Sequence, residues 1–124
     1  MQCPFCAIES GREIILETDF SFCIFDKYPV SLGHMLIIPK KHSTNYLDNT
    51  YEEKNDLWLL VERAVELIKN KYKPDGFNIG ININEAAGQT VYHTHIHLIP
   101  RYWGDVDKPR GGIRNIGIKT SDNY

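Results

Sequence analysis

The run "HTHIHLIP", His93 to Pro100, limits the fold of this chain more than any other feature. His93, His95 and His97 alternate with Thr94, Ile96 and Leu98, a period of two. On a β-strand successive side chains point to opposite faces, so the spacing predicts a strand with three imidazoles on one side and packing residues on the other. Such a strand needs a hydrophobic core behind it and a polar pocket in front. Alternate residues lie about 7 Å apart and the outer two about 13 Å apart along the backbone. Zinc ligands stand about 2 Å from the ion, so the triad is not expected to converge on one metal, although two of its members can. Neutral imidazole is a nucleophile toward phosphorus, and its protonated form is a proton donor near neutral pH. Three side by side can divide those roles.

The remaining periodicities supply the core that this strand requires. "REIILET" and "FSFCIFD" are predicted strands joined at Thr18 and Asp19, and "HMLIIPK" is a third, ended by Pro39. Thr50 and Glu53 have the spacing of a capping box. Beyond them Leu57, Val61, Ala64, Leu67 or Ile68, and Tyr72 recur at helical spacing. This predicts one amphipathic helix of about five or six turns at 3.6 residues each, stopped by Pro74, Asp75 and Gly76. "FNIGININ" alternates apolar residues with Asn78, Gly80, Asn82 and Asn84, a strand with a polar face. Strands on either side of one long helix imply an α+β fold with an antiparallel sheet of about five strands.

With 124 residues and no repeat or linker, the chain is expected to form a single domain spanning 1–124, its N-terminus at 1–10 and a Gly-rich tail at 101–124. Its net charge of −2, with basic residues scattered, gives no groove for nucleic acid, although a nucleotide-sized ligand remains open. No apolar run approaches a membrane span, and "MQCPFCAIES" lacks the basic-then-apolar pattern of a signal peptide, so a cytoplasmic protein without a membrane partner is expected. Cys3 and Cys6 form a CxxC pair, for which metal or redox chemistry is a better reading than a disulfide framework. Cys23 is expected to be a buried structural residue.

"GQTVYHTHIHLIPR" resembles the signature of the histidine triad (HIT) superfamily of nucleotide hydrolases and transferases. The resemblance extends to "FDKYPVSLGHMLIIPKKH", "NINEAAGQ" and "GDVDKPRGGIR", in order, over most of the chain. It implies a HIT-like sheet and helix, dimeric with a continuous sheet, and an enzyme acting at the α-phosphate of adenosine nucleotides such as diadenosine tetraphosphate, or of nucleoside phosphoramidates. Carried over residue by residue, the nucleophile that becomes nucleotidyl-histidine is His95. His97 and His34 orient it and the phosphate, and Asp26 takes the ribose hydroxyls. Asn82 and Gln89 surround the transferred phosphate, and Phe5, Ile8, Ile24 and Leu36 wall the adenine. Trp103, Arg110 and Arg114 serve the dimer or the substrate phosphates.

The same resemblance supplies ligands for the CxxC pair. Members with this N-terminus join it to the histidine of "IPKKH", here His42, and to the first triad histidine, here His93. Two thiolates and two imidazoles make the closed tetrahedron of a structural zinc site. Other readings of the same residues are reduced, unliganded cysteines, a metalloenzyme using His93 and His95 as an HxH pair, and a nucleotide-binding regulatory protein with slow turnover.

Overall fold

A computed structural model describes residues 3–6 and 12–118. Strands β1 (Leu16–Glu17), β2 (Ser21–Phe25) and β3 (Met35–Pro39) precede helix α1 (Tyr51–Tyr72), and β4 (Gly76–Gly80) and β5 (Ile96–Arg101) follow it. They form a five-stranded sheet in the order β1-β2-β3-β5-β4, with every described pairing antiparallel. This is the α+β architecture that the alternating periodicities imply.

The helix begins where its caps dictate. The Thr50 side chain accepts from the Glu53 N–H at 3.1 Å, and the Glu53 carboxylate accepts from the Thr50 N–H at 2.8 Å, so two otherwise orphaned donors are satisfied. The helix ends at Lys73, which adopts a left-handed conformation with φ 53° before Pro74. Its buried stripe is Leu57, Leu60, Val61, Ala64 and Ile68. Of the two residues left open by the spacing, Ile68 is the fully buried one, while Leu67 packs at the margin.

Strand alternation divides the apolar residues between two faces. Cys23, Met35, Ile37, Ile96 and Leu98 pack with the helix stripe. Phe22, Ile24, Leu36 and Ile38 form a second cluster on the opposite face, completed by Phe5 and flanked by Cys3 and Val91. One face is covered by α1. The other receives the N-terminal segment and the loop before β5, and this is the face that carries the chemistry.

Three strands stop well short of what the periodicity suggests. β1 is limited to Leu16–Glu17, β4 ends at Gly80 and leaves Asn82 and Asn84 outside it, and β5 begins at Ile96, so His93 and His95 lie on the loop before it. Ile96 pairs with Ile37, and continuing that register would set Thr94 against Pro39. Proline has no N–H for the ladder. Instead the Pro39 carbonyl lies 2.7 Å from His93 Nε2, the Thr94 N–H donates to the Ser43 carbonyl, and the Thr94 hydroxyl donates to Asn49. The chain leaves the sheet at the two histidines and is held there by other polar groups.

Candidate functional site

On the face away from α1 a cleft of about 530 Å³ is lined by Pro4, Phe5, Arg12, Asp26, Tyr28, Val30, His34, Leu36, Asn82, Val91, His95 and His97, among others. His97 stands on β5 opposite Leu36 of β3, so the sheet fixes its position. His95 lies beside it, with ring centroids 5.1 Å apart. His34 sits at the entry to β3 after Gly33, whose φ of 89° suits a residue without a side chain; a Cβ there would come within 2.9 Å of the Tyr72 ring. Asp26 follows β2, and its carboxylate approaches His34 Nε2 at 3.4 Å.

The hydrogen bonds fix which nitrogen of each ring carries a proton. His95 Nδ1 lies 2.9 Å from the His93 carbonyl, an acceptor, so Nδ1 donates and the lone pair is left on Nε2. The Val30 N–H donates to His34 Nδ1 at 3.1 Å, which places the His34 proton on Nε2. That Nε2 lies 3.0 Å from His97 Nδ1, which accepts, so neutral His97 carries its proton on Nε2. The result is a lone pair on His95 beside an N–H on His97.

Burial favours these neutral forms. It lowers the pKa values of His34 and His95, although Asp26 opposes the shift in both cases, as does the His93 carbonyl for His95. For His97, burial and then the neighbouring His95 and His34 push the value down to about 4, with Asp26 partly offsetting them. Asp26, His34 and His97 also lie close enough for a shared metal. The tautomers argue against one, because coordination through His34 Nε2 would move its proton to Nδ1, where the Val30 N–H already points.

A second cluster adjoins the cleft. The donor atoms of Cys3, Cys6, His42 and His93 lie within 4.8 Å of one another. His93 Nδ1 is 3.3 Å from Cys3 Sγ, 3.4 Å from Cys6 Sγ and 3.2 Å from His42 Nδ1. Because His93 Nε2 donates to the Pro39 carbonyl, Nδ1 offers one lone pair, too few for three converging groups. A central cation satisfies all four donors at once. Desolvation and then the adjacent Cys3 raise the pKa of the Cys6 thiol, a repulsion that such a cation relieves. Burial keeps His93 neutral, as a metal ligand must be. Two sulfurs and two nitrogens in a closed arrangement suit tetrahedral zinc.

The chain matches the HIT domain model over residues 8–104. It belongs to the HIT family. The HIT domain is 40% identical over 89 residues to a bis(5'-adenosyl)-triphosphatase of Dictyostelium discoideum, covering 72% of this chain and 60% of the relative. It is 32% identical over 87 residues to an AP-4-A phosphorylase of Mycobacterium tuberculosis, covering 69% of this chain but only 45% of that protein. Among solved structures, a Zn-bound histidine triad family protein from Mycobacterium smegmatis superposes with a TM-score of 0.77 at 36% identity, covering 83% of this chain and 77% of the other.

Of the residues singled out in the sequence, the HIT domain brings His34, His95, His97, Asp26, Asn82, Phe5 and Leu36 to the cleft. Two others stand apart from it. Gln89 is buried, and its amide is committed to the backbone: Oε1 accepts from Asn84 N–H, and Nε2 donates to the Thr44 and Val91 carbonyls. It braces the loop behind the cleft. Ile24 is buried beside its cross-strand partner Leu36, in the apolar cluster that Phe5 completes. Ile8 lies outside the described residues. Trp103, Arg110 and Arg114 are exposed and do not line this cleft. Arg12 does line it, donating to the Phe25 carbonyl at 2.7 Å, and was hidden in the sequence because "REIILET" has the pattern of a strand. Val30 was equally hidden, since its contribution to the His34 tautomer is a backbone N–H.

Proposed function

We propose that this HIT domain is a nucleotide hydrolase or nucleotidyl transferase that cleaves adenosine nucleotides at the α-phosphate through a nucleotidyl intermediate on His95. The observation that carries this reading is the hydrogen bond from His95 Nδ1 to the His93 carbonyl, which leaves the other imidazole nitrogen free as the nucleophile. In the first step the His95 Nε2 lone pair forms a bond to the α-phosphorus, and the phosphoanhydride or phosphoramidate bond to the leaving group breaks. In the second, water or another acceptor takes the nucleotidyl group and His95 is regenerated. The Nε2–H of His97 stabilises charge on the non-bridging oxygens, with His34 holding it in that tautomer. Asp26 accepts from the ribose hydroxyls, Asn82 contacts the phosphate, and Phe5 and Leu36 flank the base.

The site has two compartments. A second hollow of about 250 Å³ shares Val30, His34, Asn82 and His97 with the main cleft and runs past Asn78 and Ile99 to Ile113. A substrate with a nucleoside on one side of the scissile bond and a sizeable leaving group on the other fits this division. Diadenosine polyphosphates have that form, and two relatives are named for such substrates. Cys3, Cys6, His42 and His93 would hold zinc, which cross-links the N-terminus to the loop bearing His95. The edge of β4 away from β5 is unpaired among the described strands, which supports a two-fold dimer with a continuous sheet.

The deciding experiment is product analysis in isotopically labelled water on a panel of diadenosine polyphosphates and adenosine phosphoramidates. Label in the adenosine monophosphate product alone is expected, since water attacks the nucleotidyl group. Absence of turnover on the whole panel, with nucleotide binding intact, would favour the regulatory reading.

A further inference from the structure

The two residues between the ligand cysteines are themselves part of the cleft. The Cys6 N–H donates to the Cys3 carbonyl at 3.2 Å, closing a tight turn with Pro4 and Phe5 between the thiols. Both of these residues line the cleft. The Phe5 ring is buried against Phe22, Ile24, Leu36 and Ile38 and meets His93 and His95 edge-on, at centroid distances of 5.9 and 5.2 Å. The segment 3–6 is thus attached at two kinds of point, the sulfurs on His42 and His93 and the ring in its apolar socket. Releasing the sulfurs leaves, among the described contacts of this four-residue wall, mainly the Phe5 ring and the packing of Cys3 against the same cluster.

We propose that metal occupancy of the Cys3–Cys6–His42–His93 cluster sets the nucleotide affinity of the cleft, acting through Phe5 as the wall that the metal holds in place. The inference rests on the nucleotide and zinc readings above and adds regulation of that same site. Most of the bond-making apparatus has ties of its own, although the His95 ring also meets Phe5. His93 keeps its hydrogen bond to the Pro39 carbonyl, and His97 is fixed by the β3–β5 ladder and by His34. Loss of metal therefore falls mainly on binding. Proteins competing for the cation would lower occupancy of the active site by nucleotide while the sheet and the His34 hydrogen bond still hold His97.

The test uses adenosine monophosphate as the probe, titrated calorimetrically into the zinc-loaded protein, into protein stripped by a chelator, and into stripped protein reloaded with zinc. The temperature is one at which circular dichroism reports the native fold. Stripping is expected to raise Kd by about tenfold, equivalent to about 1.4 kcal/mol, and reloading to reverse it. Zinc-loaded Phe5→Ala should lose a similar factor while retaining its metal, and stripping that variant should add little, since both changes remove the same wall. Phe5→Leu should recover part of the loss. Steady-state measurements should place the effect of stripping in KM rather than kcat.

Equal affinity of stripped and loaded wild type would overturn the proposal, as would a Phe5→Ala variant that loses as much on stripping as wild type does. If stripped protein unfolds, the zinc-loaded Phe5→Ala variant still decides, because unchanged affinity there removes Phe5 from the wall. Failure of the underlying reading looks different: loaded wild type would bind no adenosine monophosphate, or purified protein would hold no metal. Either result overturns the inference as well.

Discussion

Among single residues, His95 presents a lone pair and His97 an N–H to the cleft, a division set by hydrogen bonds that a sequence does not display and read in the proposed mechanism as nucleophile and donor. Replacing His95 with Ala or Asn should lower turnover by several orders of magnitude while leaving nucleotide affinity within about tenfold, because the covalent route is lost but the cleft remains. Rapid quenching into alkali should trap the adduct in wild type and yield none in the variant; near-normal turnover would remove His95 from the mechanism. Asp26→Ala should weaken ribonucleotides more than 2′,3′-dideoxy analogues, since hydrogen bonds to a charged group are worth about 1.5–3 kcal/mol. Equal losses in calorimetry would make Asp26 a turn residue, a role for which its carboxylate already accepts the Tyr28 N–H. His97 also links the site to stability. Its folded pKa of about 4 lies below the ordinary value of 6.5, so the unfolded chain binds more protons between those values. The His97 contribution to stability is therefore complete above about pH 6.5 and lost as pH falls toward about 4. Thermal melts across that range should show a falling Tm, less steep in His97→Gln than in wild type.

Among the elements, the helix was the most legible, and β1 and the start of the triad strand the least. A stripe of Leu57, Val61, Ala64 and Ile68 behind a Thr50–Glu53 box is a local pattern with local causes, and it formed where that pattern placed it. Thr50→Ala should cost about 1 kcal/mol by urea denaturation, because one capped N–H loses its partner. An unchanged midpoint would mean that packing alone sets the start of the helix. The period of two in "HTHIHLIP" was correctly divided between faces at Ile96, His97 and Leu98, but it continued too far toward the N-terminus. What interrupted it was Pro39, a residue far away in sequence that denies the ladder an N–H and accepts from His93 instead. The cysteine turn depends on the same exchange. Double replacement of Cys3 and Cys6 by Ser should abolish bound zinc by elemental analysis and lower Tm, since binding confined to the folded state adds to folding free energy. A wild type carrying no zinc would remove the structural metal from this account.

In the whole molecule, one sheet serves as a partition, with a helix-backed core on one side and the histidine-lined cleft and the Cys3–Cys6–His42–His93 cluster on the other. No helix among the described residues is long and apolar enough to cross a membrane. The open edge of β4 predicts a dimer in light scattering coupled to size exclusion, and a charged substitution such as Asn78→Lys in β4 should shift the population toward monomer. A monomer at all concentrations would instead confine the complete site to one chain. The sequence by itself determined the α+β class, the helix and its caps, the two-faced strand and the histidines around which chemistry gathers, because periodicity and motif spacing are properties of neighbours along the chain. Only the tertiary structure decided that Gln89 braces a loop, that Arg12 and the Val30 N–H reach the cleft, and that the His93 carbonyl orients His95. Those outcomes depend on which backbone carbonyls and N–H groups lie nearby in space, and distant segments supply many of them.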